Sequence, residues 1–445
     1  MKNAFSIWWL HPLAIFGVVS GFVAVVAFLI PDTGYQDLWF TPKFFDGMGL
    51  AAVLAAIGAF AAGVLMPSIR FRGWSISEDP KLDPELSSRT LLILYRVAAA
   101  LALAGYAVWI ATAVSRGLNL AVLADVVAGK KLVLYGIRMR YLGNIPGITT
   151  CTQFAVAAAV LAPLAGAQLG WKKIRKSLTL LFLLALLRAI LNTERLAVVE
   201  MAVPMCVVVA AQVLATTTRR WLRIWLKAAP VAGVALLFLV FSAFEYFRSW
   251  TSYYASIEDS FWEFAASRLL GYYVTAFNNG AYLMDRLSAP LGVPCFTGSF
   301  LWRFPLLKNL TESIFPVSSI SNNYFDILQS GANAEFNNGG GLFGPLLDFG
   351  RFGALAYWIA VGFVCGSLYR LFRRRSAWGL CLYPILFLGL LDVARGLYWA
   401  GGRAIPPLCF LTLSGFLLAI QQKRAKARGN NRVSAPSPVA VRSKS

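Results

Sequence analysis

Along the 445-residue chain, apolar residues fall into long blocks separated by polar turns. A spanning helix needs about 20 apolar residues to cross roughly 30 Å of hydrocarbon. About ten blocks approach that length, at 12–30, 45–66, 91–114, 149–169, 178–191, 196–215, 230–247, 352–370, 379–397 and 404–420. They predict an all-α polytopic membrane protein. Residues 1–247 carry the N-terminal transmembrane helices, 248–351 form one large loop, and 352–420 carry the C-terminal helices. The tail, 421–445, is basic, rich in Ser and Pro, and reads as disordered. The first block has no small-residue cleavage site behind it, so it reads as a retained anchor.

Composition agrees with this pattern. The chain is 58% hydrophobic and 14% charged, against about 25% charged in soluble domains. Its net charge of +21 does not point to nucleic acid, because the basic residues collect in short turns. Arg70, Arg72, Lys81 and Arg89 form one group, and Lys172, Lys173, Arg175 and Lys176 another. Arg219, Arg220, Arg223 and Lys227 form a third, and Arg370, Arg373, Arg374 and Arg375 a fourth. With both termini cytoplasmic, these groups and the tail lie inside, as the positive-inside rule requires. The large loop then faces the other side. The six cysteines include no C-x-x-C pair and imply neither a zinc site nor a disulfide framework.

Charges within or beside hydrocarbon need a partner or a task. The richest stretch is Leu187-Arg188-Ala-Ile-Leu-Asn192-Thr193-Glu194-Arg195. The block before it is short, so Asn192 to Arg195 form a polar apex near the outer leaflet. A continuing helix would put Arg188, Asn192 and Arg195 on one face, and Glu194 could close the hairpin by pairing with an arginine. Asp392 and Arg395 are spaced for an i, i+3 ion pair, and Arg403 returns to their level across a short turn. Leu342-Phe-Gly-Pro-Leu-Leu-Asp348-Phe-Gly-Arg351-Phe-Gly353 brings the large loop back to the membrane.

Arginine keeps its proton and grips phosphate with two parallel hydrogen bonds. Several arginines at one depth therefore suit a lipid-linked phosphate or pyrophosphate. The large loop adds Arg248, Arg268, Arg286, Arg303 and Lys308, and aromatics such as Trp262, Tyr272, Tyr273, Phe277 and Phe336. Those rings suit sugar stacking, or amphipathic helices lying on a membrane. There is no Walker loop, H-E-x-x-H, G-x-S-x-G or D-x-D motif. Glu258 and Asp259 are adjacent acids, weak grounds for a divalent ion. The single histidine, His11, lies at the cytoplasmic end of the first block.

Three of these features resemble the Wzy-type polymerases of oligosaccharide repeat units, the O-antigen polymerase family. They are the short hairpin with Arg195 at its apex, the return from the large loop through Leu342 to Gly353, and Ala394-Arg395-Gly396 followed by Gly401-Gly402-Arg403. The resemblance implies a GT-C-like fold with one large periplasmic loop in a bacterial inner membrane. It implies an inverting, metal-independent glycosyltransferase with no cofactor. Its substrates would be undecaprenyl-pyrophosphate-linked oligosaccharides, and its partners membrane lipids, a flippase and a chain-length regulator. Arg195, Arg395 and Arg403 are then the first pyrophosphate candidates, Arg188, Arg268 and Arg351 the next, and Glu335 or Asp348 the general base. O-antigen ligases share the architecture but resemble one another in a loop histidine that this chain lacks. Metal-dependent GT-C transferases place acids in the first outer loop, where this chain has only Asp32 and Asp37. A flippase for lipid-linked sugars is the reading from another class; it would line a midplane cavity with charge and repeat its halves.

Overall fold

The computed structural model describes residues 7–68, 81–128, 133–143, 145, 147–217, 219–251, 253–287, 290–303, 308–314, 324 and 326–433. Its helices run α1 (Pro12–Leu29), α2 (Asp32–Trp39), α3 (Gly47–Leu65), α4 (Pro84–Ser115), α5 (Leu120–Val127), α6 (Val133–Arg140), α7 (Phe154–Leu169) and α8 (Arg175–Leu191). They continue through α9 (Leu196–Thr216), α10 (Arg220–Glu245), α11 (Phe261–Arg286), α12 (Ser299–Arg303), α13 (Lys308–Ile314), α14 (Gly344–Arg373), α15 (Ala377–Asp392) and α16 (Ile405–Val433). The described residues contain no strand, only an isolated bridge between Lys81 and Ser376.

The chain is an all-α membrane protein. Among the described residues, 8 helices are long and apolar enough to cross a bilayer. The blocks at 178–191 and 379–397 fold as α8 and α15, shorter helices of 17 and 16 residues. Each ends on a polar turn that is held inside the bundle: Asn192–Arg195 after α8, and Asp392–Arg395 around the end of α15. Of the basic groups, Arg70 and Arg72 lie outside the described residues, and the C-terminal tail continues α16 as helix to Val433, with 434–445 outside them.

Two large apolar clusters hold the bundle, with a small third around Tyr282, Leu283, Leu328 and Leu347. One surrounds α7, whose Ala155 to Ala159 are all buried, with α4, α9, α15 and α16 packed on it. The other joins α1, α3, α11 and α14. Where α3 crosses α14 the backbones touch. A Cβ on Gly63 would strike the carbonyl of Ile359, and one on Gly362 the carbonyl of Phe60. Small residues are the usual means of close helix approach where no hydrophobic effect separates helix from lipid.

The two ends of the bundle differ in chemistry. At one end Trp8 and Trp9 donate to the carbonyls of Lys227 and Leu226, Leu82 donates to Arg375, and Asp83 to Gln422. Basic turns therefore meet there. Acid–arginine pairs gather at the other end.

Residues 248–351 are more than a loop. Tyr246–Trp250 continues α10 as a π-helical turn. α11 is built into the bundle, with Gly271 and Val274 to Leu283 among its buried residues. Two adjacent asparagines lock it. Asn278 accepts from the backbone N–H of Phe44 and Phe45 and donates to Pro42. Asn279 donates to the carbonyls of Phe336 and Asn338. The second lock fixes the turn that carries Glu335, whose N–H donates to the Asn333 side chain at 2.9 Å.

Gly350 has φ 70° and ψ −173°, conditions open to glycine, and splits α14 into a short first turn and a long span. The first turn carries Asp348.

Candidate anion site at one end of the bundle

α8 stops at Leu191 because Asn192 caps it and Thr193 turns left-handed, with φ 53°. The helix does not continue, so Arg188 and Arg195 point to different places and share no face. Arg188 donates to Thr152 Oγ1 at 2.5 Å, on the α7 side. Arg195 turns the other way, to Glu245 at the end of α10.

Glu245 is the centre of the first cluster. It is the only acid between Arg220 and Trp250 and is 0% exposed. Arg195 pairs with its Oε1, Arg248 approaches the same oxygen at 3.6 Å, and Arg268 Nε lies 3.1 Å from Oε2. The Arg195 guanidinium also lies 3.9 Å from the Phe241 ring centre, a cation–π contact that holds it flat. Arg268 is 5% exposed. Its other arm binds Glu335 at 2.5 Å, and Tyr254 donates to the same carboxylate at 3.0 Å.

Burial works against charge on Arg268, yet Glu245 and then Glu335 outweigh it and hold its proton more tightly than usual. For Glu335, burial raises the carboxyl, but the adjacent Arg268 and the Tyr254 hydroxyl prevail and hold it below the ordinary glutamate value.

The second cluster centres on Glu200, the only acid in α9. Arg403 grips it with both arms, Nε to Oε1 at 2.9 Å and Nη2 to Oε2 at 2.7 Å, and also pairs with Glu194. Glu194 thus takes an arginine, but one from the turn before α16 and not from its own hairpin. Gln153 bridges to Arg188: with its amide oxygen toward Arg188 and its nitrogen toward Glu200, both contacts fall at 3.2–3.3 Å.

Between the clusters lies the pair Asp392–Arg395, 3.1 Å apart at the expected i, i+3 spacing. Two tyrosines mark how near these groups are. Burial raises the Tyr273 hydroxyl; Asp392 adds to this, while Arg395 and Arg195 oppose it. Burial, followed by Glu200 and Asp392, raises Tyr398.

Two cavities open on this polar band. The first, about 880 Å³, has apolar walls from Val126, Leu186, Ile190, Phe244 and Phe247 and a polar head of Arg138, Arg248, Arg268 and Glu335. The second, about 990 Å³, is lined by Arg138, Gln153, Arg188, Asn192, Glu194 and Arg403. Arg138 and Thr193 line both. Arg195 and Arg395 line neither and stand behind the residues that do.

Charge is not balanced around the first cavity. Among the described residues, Arg195, Arg248 and Arg268 pair with two acids, Glu245 and Glu335, and the exposed Arg138 adds to the excess. In the second cluster, Arg188 and Arg403 meet Glu194 and Glu200. Among the described residues, no three His, Cys, Asp or Glu side chains converge to hold a metal ion.

The structure thus brings together five of the six arginines singled out from sequence, with Glu335. Arg351 lies beyond the Gly350 kink, exposed and outside these pairs. Asp348 is apart as well. It is 0% exposed and accepts from the N–H of Phe296 at 3.0 Å and from the N–H and hydroxyl of Thr297 at 2.8 and 2.7 Å. Its oxygens are committed to folding the 296–297 turn onto α14. Asp348→Ala should therefore lower thermal stability by about 2–4 kcal/mol, the cost of orphaning buried donors. Activity per folded molecule should change little, as measured after normalising to the monodisperse fraction. A loss of turnover without a loss of stability would reverse this assignment.

Glu200 and Glu245 hold the site together and are not among the residues singled out from sequence. The signal for both was a lone carboxylate in an apolar span, which is rarely there without a partner. No family model, curated protein or solved structure matches the chain.

Proposed function

We propose that this chain polymerises lipid-linked oligosaccharide repeat units as an inverting, metal-independent glycosyltransferase of GT-C-like design. On this reading it works at the periplasmic face of a bacterial inner membrane, with both termini cytoplasmic. A sugar hydroxyl of one lipid-linked unit attacks the anomeric carbon of another. The bond from that carbon to the pyrophosphate oxygen breaks, and undecaprenyl pyrophosphate leaves. The hydroxyl proton passes to a carboxylate.

The observation that carries this reading is the first cavity: an apolar-walled pocket whose head holds arginines in excess over acids. That combination suits an isoprenoid chain ending in a pyrophosphate. Charge builds on the leaving oxygen in the transition state, and preorganised guanidinium groups lower its energy there. Arg248 and Arg268 are placed to do this. The second cavity adjoins the first at Arg138 and Thr193, which supports a second lipid-linked unit held within reach. Of the two carboxylates considered as base, Glu335 lines a cavity and Asp348 is buried in hydrogen bonds. This supports Glu335 over Asp348 as the base.

The experiment is glycan length in cells. Deleting the gene should leave single exported repeat units where the parent carries polymer, and Arg195→Ala should restore no polymer. Units that fail to be exported would favour the flippase reading; polymer that forms but does not reach its final acceptor would favour the ligase.

The role of Glu335 predicts a pH profile. Its folded-state pKa is depressed, so its ionised form, its pair with Arg268 and the stability that pair gives are present above the ordinary glutamate value. All are lost as pH falls through the lower folded value. Turnover should hold down to below the ordinary glutamate pKa and then fall with stability. Glu335→Gln should be inactive across the range. Activity in that variant with an unchanged acid limb would remove Glu335 as the base.

A further inference from the structure

We propose that Glu245 is a positioning residue that sets both the geometry and the net charge of the arginine group. This rests on the reading above that the group receives a lipid pyrophosphate. Glu245 is fully buried and lines neither cavity, so it acts on a substrate only through other side chains. The three arginines it meets come from three separate elements: the turn after α8, the π-helical turn and the middle of α11. One carboxylate therefore gives them a common origin.

The π-helical turn is part of this arrangement. It begins at Tyr246, directly after Glu245, and brings Arg248 back toward the carboxylate at i+3. Such turns inside helices are frequent at functional sites.

The three contacts are unequal. Arg195 is held twice, by Glu245 and by the Phe241 ring. Arg248 lies 3.6 Å from the carboxylate and donates one hydrogen bond, to the Tyr272 hydroxyl at 3.2 Å, and Arg268 Nε faces Oε2 at 3.1 Å without forming a hydrogen bond. Arg195 is thus fixed, while the two arginines that line the cavity keep donors for an anion. Glu245 also cancels part of their charge. With its negative charge the site attracts a pyrophosphate and releases it after transfer. Without that charge the site retains it.

The test uses the purified full chain in lipid nanodiscs, titrated with inorganic pyrophosphate by calorimetry and assayed for elongation. Glu245→Gln should bind pyrophosphate about tenfold more tightly than wild type, as expected from removing a unit charge at close range. Its kcat and KM should both fall. A residue that only supported the fold would not tighten anion binding. Glu245→Asp keeps the charge but withdraws it by one methylene. Its pyrophosphate affinity should stay within about twofold of wild type while kcat falls, because alignment and not charge has changed. If the Gln variant does not fold, the Asp variant decides, and wild-type turnover in it overturns the positioning role. Wild-type affinity and turnover in the Gln variant would also overturn that role, and would leave the transferase reading standing. A wild-type protein that neither binds pyrophosphate nor elongates glycan overturns both.

Discussion

On the proposed polymerase reading, Arg268→Ala should abolish elongation and destabilise the protein together. Arg268 is the link between Glu245 and Glu335, with the rings of Tyr254, Phe264 and Phe336 each 5.2–5.4 Å from its guanidinium carbon. Truncation removes one partner of each of two ion pairs. Breaking a buried pair from one side costs about 3–5 kcal/mol when the remaining charge is left uncompensated; here the cost falls toward the lower end, because Glu245 keeps Arg195 and Arg248 while the half-exposed Glu335 loses its arginine. Removing a preorganised donor from a developing negative charge costs about 10²–10³ in rate. Both effects are measurable, one as a shift in thermal midpoint in detergent and the other as glycan length normalised to folded protein. Arg268→Lys separates them. Lysine restores a positive charge near one carboxylate, but a single ammonium does not reproduce a guanidinium that reaches Glu245 with Nε and Glu335 with Nη1. Stability should recover in part while elongation stays low. Full elongation in the Lys variant would mean that Arg268 is a strut and not a phosphate contact.

The fold class was legible because hydrocarbon imposes a length and a composition on anything that crosses it. α1, α3 and α9 follow the apolar blocks closely, whereas α4 begins before its block and α16 runs well past its own. The exceptions have physical causes. α8 and α15 are apolar but short, and hydropathy does not show how a short helix is accommodated among longer ones. α11 was hidden for the opposite reason. Its sequence, Phe261 to Arg286, mixes polar and aromatic residues, so it reads as a loop. Its buried polar residues, Asn278 and Asn279, are satisfied by backbone from distant segments, and no local pattern announces that.

The candidate site was legible in part. Arginines beside hydrocarbon stand out in a sequence because few tasks justify them, but their partners do not follow from spacing. Asp392 and Arg395 pair as i, i+3 neighbours should, whereas Arg195 and Arg403 find Glu245 and Glu200 at separations of 50 and 203 residues. The left-handed Thr193 is the critical local event. It sends Arg195 to one cluster and leaves Arg188 in the other, and threonine is not a residue that signals positive φ. The partners of Asp348 were hidden for a related reason: a carboxylate beside glycines looks available, and nothing in the sequence ties it to the N–H groups of Phe296 and Thr297 and the Thr297 hydroxyl.

The second large effect concerns Arg403 and Glu200, where one arginine has two plausible tasks. Arg403 lines the second cavity, yet both its arms are engaged by Glu200, which is 1% exposed. A double-mutant cycle distinguishes a strut from a substrate contact. Arg403→Gln should cost about 3–5 kcal/mol, since it orphans the buried Glu200, whereas Glu200→Gln should cost less, because Arg403 keeps its pair with Glu194. The double variant removes both charges, so its stability should lie well above the sum of the two losses. Elongation should not recover with it, because the guanidinium that would face the second lipid-linked unit is still absent. Recovery of polymer length in the double variant would show that Arg403 serves only to neutralise Glu200. The anion site would then contract to Arg138, Arg248 and Arg268 around the first cavity, with the second cluster acting as the rivet that fixes the turn before α16 to α9.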